Sequence, residues 1–286
     1  MPSVVVRAPA KLNLTLDVLG KREDGYHEMK MVMQSVSLAD TLTLNREEGE
    51  GIFLSANLGF LPLDGRNLAF KAAQELQRST GVKLGRLSIE MKKQIPVCAG
   101  TAGGSSDAAA VLRGLNELLG LGLNIDELAE IGKKVGSDVP YCVLGGTALA
   151  EGRGERITPL PALPACHVVM VKPDFPVSTP QLFAKLGERK VRCHPDTAGM
   201  LTAIERGDLN AVARRLYNVF EEVLPPKRRE RVEELKRALL DGGALGSCMT
   251  GTGPTVFGIF DRQDLAEQTH RNLKRHIRET FLVQTI

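Results

Sequence analysis

The clearest hydrophobic pattern lies near the start of the chain, where Leu12, Leu14, Leu16 and Val18 alternate with polar residues. A period of two marks a β-strand and places Lys11 and Asn13 together on its opposite face. Further extended stretches are predicted at 3–7, 29–38 and 41–44, with a charged turn over 20–25 (GKREDG), so the first part reads as antiparallel hairpins. Residues 67–77 (NLAFKAAQELQ) repeat at helical spacing, with Asn67 as the expected cap. Residues 86–91 alternate again as a strand, and Val111, Leu112, Leu115, Leu118 and Leu119 form the apolar stripe of a helix. Asn124 and Glu127 have the spacing of a capping box for a helix that ends near Gly136. The turn at 136–140 follows, where Pro140 is expected to block a helix. Beyond a connector at 160–164 (LPALP), a strand is predicted at 166–171, helices at 197–223, 227–240 and 262–278, and strands at 255–260 and 281–286. The pattern describes a mixed α/β (α+β) chain of two domains, 1–160 and 161–286, divided near 158–164.

Composition narrows the partners. The chain has 286 residues, 43% hydrophobic and 25% charged, with a net charge of +3. That charge is too mild for a nucleic-acid footprint, and zero Trp with three Tyr argues against an aromatic platform for single strands. Five scattered cysteines without paired spacing argue against a disulfide framework or structural zinc. No basic-then-apolar leader and no apolar run of about 20 residues is present, so a cytoplasmic chain without a membrane partner is expected. Small molecules, anionic ones in particular, are the expected ligands, and monomer and homodimer both stay open.

The candidate chemistry centres on PVCAGTAGGSSDAAA. Its loop comprises Pro96, Val97, Cys98, Ala99, Gly100, Thr101, Ala102, Gly103 and Gly104, and it runs into Ser105 and Ser106 at an expected helix start. Glycines permit close backbone approach, and a helix start presents unpaired N–H groups and partial positive charge, which together suit a phosphate. The loop has neither the GxxxxGK[ST] nor the GxGxxG spacing of the commoner phosphate motifs. A structural turn with Ser105 as a simple N-cap is the competing reading. Asp138, between glycine and proline in the 136–140 turn, reads either as an Asx-turn residue or as a general base. Lys11 reads either as a solvated edge charge or as its partner. A second glycine and hydroxyl-rich loop, residues 246–254 (GSCMTGTGP), reads either as a flexible turn or as a loop that closes with the first over one ligand. His27 has no spaced partner histidine, which argues against a metal role.

Three separated motifs together resemble one family. PVCAGTAGGSSDAAA is similar to the phosphate-binding signature of the GHMP kinases, the galactose, homoserine, mevalonate and phosphomevalonate kinase superfamily. APAKLNLTLDVLGKREDGYHEM, VGSDVPYCVLGGTALAEGRGE and MTGTGPTVFGIF resemble the branch that phosphorylates a hydroxyl of a cytidine diphosphate-linked polyol in isoprenoid precursor synthesis. The resemblance implies an N-terminal domain like ribosomal protein S5 domain 2, a ferredoxin-like C-terminal domain, ATP as co-substrate and Mg2+ on the phosphates. It implies Asp138 as catalytic base with Lys11 as its charged partner, residues 96–106 as the ATP phosphate loop, and Ser106 as a candidate near the metal. Asn13, Tyr26 and His27 fall at positions that hold the acceptor, His27 through the cytosine. Asn67 and Phe183 fall at further nucleotide contacts, with Phe175 the alternative aromatic for stacking on cytosine. Two residues depart from the family pattern: Thr101 stands where leucine is usual, and Thr252 where serine is common. Another small-molecule kinase of the family, or a nucleotide-binding module without catalysis, remains the competing class of function.

Overall fold

A computed structural model describes residues 2–188 and 191–286 of the chain. Two long strands open it, β1 (Ser3–Lys21) and β2 (His27–Glu47). Each joins two of the predicted stretches into one element, because Ala8-Pro9-Ala10 in β1 and Ala39-Asp40 in β2 continue the extended backbone without a turn. There follow β3 (Gly51–Ala56), α1 (Leu68–Thr80), β4 (Arg86–Lys92), α2 (Gly103–Leu119), α3 (Ile125–Lys133), α4 (Val139–Leu144), β5 (Thr147–Gly152) and β6 (Arg156–Pro159). The later part holds β7 (His167–Val171), α5 (Thr179–Glu188), α6 (Thr197–Glu205), α7 (Leu209–Ala213) and β8 (Tyr217–Asn218). A 3₁₀ turn (Val219–Val223), α8 (Pro226–Asp241), β9 (Gly246–Met249), β10 (Val256–Phe260), α9 (Gln263–Lys274) and β11 (Thr280–Gln284) complete it.

Strand pairing runs β3-β4-β2-β1-β8, with β5 added to β2 and β6 to β5. A separate antiparallel sheet has the order β11-β7-β10-β9. Numbered along the chain this is fourth-first-third-second with helices between, the connectivity expected of a ferredoxin-like domain.

The chain forms two compact units, and they are not sequential halves. One comprises the stretch up to Ala10 with Leu38–Ile95 and Ala102–Gly145; the other comprises Lys11–Ser37, Pro96–Thr101 and Gly146–Ile286. The units interleave along the chain, and the expected division near 158–164 falls within the second of them. The reason is local: β1 and β2 contribute residues to both units, and β5 and β6 pair with the first half of β2 through Met29–Gln34. In the first unit α1 packs on α2 and α2 on α4, over a core that includes Leu42, Leu44, Leu76, Leu87 and Ile89. In the second, Val168–Val171, Phe257 and Phe260 are fully buried in the antiparallel sheet.

Two predicted elements differ. The helix expected over 197–223 is broken into α6, α7, β8 and the 3₁₀ turn, because Asp208 recaps the chain by accepting from Ala211 N–H (2.8 Å) and Asn218 does so from Phe220 N–H (3.0 Å). Pro140 does not stop a helix but sits in the first turn of α4, where its missing N–H costs nothing.

Candidate active site

Strand β1 is buried on both faces between Ala8 and Val18, so its polar alternation is not a solvent face. Lys11 is 4% exposed, which removes the edge-charge reading. As the period of two requires, its ammonium meets Asn13 on the same face and donates to Asn13 Oδ1 at 2.6 Å. That oxygen also accepts the Gly251 N–H (2.9 Å), while Asn13 N–H donates to Thr250 Oγ1 (3.0 Å). Asn218 holds the same late loop, its amide donating to Met249 O (2.7 Å) and Gly251 O (2.8 Å). Asn13 is fully buried among these bonds, so the position expected to hold the acceptor fastens the late loop.

The first glycine loop lies against the second. Lys11 N–H donates to Thr101 O at 3.1 Å. A Cβ built on Gly251 would meet Gly100 O at 2.7 Å and Gly100 Cα at 2.9 Å, so the two backbones touch where neither residue has a side chain. Cys98 and Ala102 adopt φ of 54° and 57°, which non-glycine residues enter only at a cost of about 1–3 kcal/mol. Thr101 is buried, and its hydroxyl finds no hydrogen-bond partner among the described residues. Thr252 shares a hydroxyl contact with Thr179 (2.8 Å).

Helix α2 begins at Gly103, two residues before the serines. Ala102 is its N-cap and supplies no side-chain bond, so Ser105 is a first-turn residue and not the cap. No acidic side chain stands in that turn. Helix α3 is the contrast: Asn124 and Glu127 close a full capping box there, with Asp126 beside them. Neither an N-cap side chain nor a first-turn carboxylate therefore serves the N-terminus of α2. Ser106 is buried and donates its hydroxyl to Pro9 O at 2.6 Å. Asp138 occupies the N-cap position of α4 at φ −84°, ψ −9°, yet its side chain does not cap the helix. Asn67 caps α1 by accepting from Ala69 N–H (2.9 Å) and donates to Pro62 O (2.9 Å), so both ends of its amide serve the fold.

The 20–25 turn is closed by Arg22 N–H to Tyr26 O (2.8 Å). Tyr26 is exposed, with the Arg153 guanidinium 4.8 Å from its ring. His27 stacks against Phe183, ring centroids 4.7 Å apart and tilted by 30°, and Phe183 meets Phe220 edge-on at 4.9 Å. Partial burial, and secondarily the Lys21 charge, hold His27 below the usual imidazole pKa, which favours the neutral ring that can both donate and accept. Phe175 lies instead under Arg228, 5.8 Å from its ring. Of the two candidate aromatics, only Phe183 is brought to His27.

Sequence reasoning missed Asn218 and the buried set Asp40, Lys93 and Asp107. The signal for the latter was a lone carboxylate in the apolar run of β2 and another ahead of Ala108-Ala109-Ala110, but nothing in the pattern joined them.

The chain matches the family description "GHMP kinases N terminal domain" over residues 67–146 and "GHMP kinases C terminal" over 200–279. It belongs to this family of kinases, whose mixed fold of helices and two sheets it has. A relative from Geobacillus sp. (strain WCH70), named 4-diphosphocytidyl-2-C-methyl-D-erythritol kinase, is 47% identical over 99% of this chain and 97% of its own length. One of the same name from Enterococcus faecalis (strain ATCC 700802 / V583) is 46% identical over 99% of both chains. A crystal structure of 4-(cytidine 5'-diphospho)-2C-methyl-D-erythritol kinase superposes with a TM-score of 0.80 at 31% identity, covering 99% of each chain. A homoserine kinase from Cytophaga hutchinsonii shares the fold, with a TM-score of 0.78 at 19% identity. Among the described residues no helix is long and apolar enough to cross a membrane.

Proposed function

We propose that this chain transfers the γ-phosphate of ATP to the C2 hydroxyl of 4-diphosphocytidyl-2-C-methyl-D-erythritol, releasing ADP and the 2-phosphate for non-mevalonate isoprenoid synthesis. The observation that carries the reading is the buried Lys11–Asn13 pair on β1, bonded through Thr101 O to one glycine loop and through Gly251 N–H to the other. The relatives of the same name, alike over nearly the whole chain, support the acceptor over those of homoserine or mevalonate kinases.

The chemistry then follows from positioning. The uncapped first turn of α2 and the loop before it take the triphosphate. Asp138 accepts the proton of the acceptor hydroxyl as its oxygen bonds to the γ-phosphorus and the bond to the β-phosphate oxygen breaks. Lys11 supplies fixed positive charge to the transition state. His27 and Phe183 take the cytosine, the first by hydrogen bonds and the second by stacking. Mg2+ on the phosphates would offset their charge. Among the described residues no three His, Cys, Asp or Glu gather as a metal cradle, which suits an ion held chiefly by the nucleotide phosphates and water. Magnesium is proposed to enter as the complex of the nucleotide itself. Localisation in the cytoplasm belongs to the same proposal.

Asp138→Asn tests the base. Turnover is expected to fall at least about a hundredfold, with the ATP dissociation constant within about threefold. A near-normal rate removes Asp138 from the mechanism.

A further inference from the structure

A buried charged cluster in the first unit takes no part in the steps above. Lys93, one residue past β4, sends its ammonium to both Asp40 of β2 and Asp107 of α2, and the three side chains are 4%, 0% and 5% exposed. The other Asp40 oxygen accepts the N–H groups of Gln94 (2.5 Å) and Ile95 (2.8 Å), the last residues before the glycine loop. Asp107 stands in the second turn of α2, just after the loop, and its second oxygen is buried without a partner among the described residues. Burial pushes its carboxyl up to about 7, with Lys93 opposing and Asp40 adding to the rise. The Lys93 ammonium also lies 3.6 Å from where a Gly103 Cβ would stand, against the first turn of α2.

Such a cluster is a poor way to gain stability alone, since buried charges recover their desolvation cost incompletely and two carboxylates repel. Its placement is more informative. The chain enters the loop held by Asp40 and leaves it held by Asp107, and one ammonium joins the two.

We propose that Asp40, Lys93 and Asp107 are positioning residues for ATP, clamping both ends of the 96–102 loop so that the first-turn N–H groups of α2 are set before the phosphates arrive. This rests on reading residues 96–106 as the ATP phosphate loop. A preorganised loop binds without the entropy loss of ordering it.

The test is ATP binding by calorimetry without acceptor, kinetics with acceptor, and urea unfolding, on the full chain. Asp107→Ala is expected to raise the ATP dissociation constant and KM at least about tenfold, equivalent to about 1.4 kcal/mol. The KM for the cytidyl acceptor and kcat at saturating ATP should stay within about threefold. Asp107→Asn keeps an oxygen for Lys93 and should recover ATP binding to within about threefold of the parent. Where Asp107→Ala does not fold, the double variant Lys93→Met, Asp107→Leu is expected to show the same tenfold loss. Destabilisation with ATP affinity unchanged overturns the clamp and leaves the cluster structural, as does an equal rise in both KM values. A parent chain that binds no ATP overturns the phosphate-loop reading instead, and the clamp with it.

Discussion

Gly251→Ala is the sharpest perturbation of the two-loop arrangement. Gly251 has φ +57°, and an added Cβ would lie 2.7 Å from Gly100 O, 2.9 Å from Gly100 Cα and 3.2 Å from its carbonyl carbon. All three neighbours are backbone, so no flexible side chain can yield. Bringing the 2.7 Å contact to an ordinary 3.4 Å moves the loops apart by about 0.7 Å. The left-handed conformation itself costs a non-glycine residue about 1–2 kcal/mol. Overpacking adds about 1–3 kcal/mol, and the shift strains the 2.9 Å bond from Gly251 N–H to Asn13 Oδ1. The expected loss is about 3–4 kcal/mol of stability and, since an ångström of misplacement is worth up to about a hundredfold in rate, a fall of roughly 30- to 100-fold in kcat/KM. Gly146→Ala separates strain from collision, because Gly146 has φ +69° but nothing within 4 Å of an added Cβ. It should lose about 1–2 kcal/mol with little change in rate. Urea unfolding followed by circular dichroism gives the stabilities, and coupled ADP release gives the rates. Activity of Gly251→Ala within about threefold of the parent, or an equal loss of activity in Gly146→Ala, refutes the reasoning.

Three further outcomes are expected. Asn218→Ala removes the donor to Met249 O and Gly251 O and should lower the urea stability by about 2–3 kcal/mol; Asn218→Asp, which cannot donate, should do no better. Phe183→Ala should raise KM for the cytidyl acceptor at least about fivefold, since stacking on a base is worth about 1–3 kcal/mol, while ATP affinity measured by calorimetry stays within about twofold. Asp107 has its pKa raised by burial from 3.8 to about 7, so the folded chain holds a proton that the unfolded chain releases. The stability linked to that proton is present below about pH 4 and is lost as pH rises through about 7, by at most about 1.4 kcal/mol per unit. Asp107→Asn should flatten this part of the stability-versus-pH curve relative to the parent, and parallel curves would show that Asp107 does not titrate there.

Much of the site was legible because it is local. The capping of α1 by Asn67 and of α3 by Asn124 and Glu127 follows from side chains reaching two or three residues along the chain. The shared face of Lys11 and Asn13 follows from the strand period. The helix over 197–223 failed because its polar pauses at Asp208 and Asn218 are caps that start new elements, and helical spacing alone does not distinguish a cap from a surface residue. The bond from the Ser106 hydroxyl was not legible, because its partner, Pro9 O, lies 97 positions away.

By itself the sequence determined the kinase family, the strand and helix periods, the glycine-rich loop ahead of a helix start and the identity of the chemical groups. All of these depend on residue type and short spacing. The tertiary structure alone decided that the polar face of β1 is buried, that Gly100 and Gly251 meet, that Phe183 and not Phe175 reaches His27, and that Lys93 joins Asp40 to Asp107. Each of these is a contact between residues far apart in the chain. A period of two or 3.6 orients a side chain on its own element, and only packing determines what it faces.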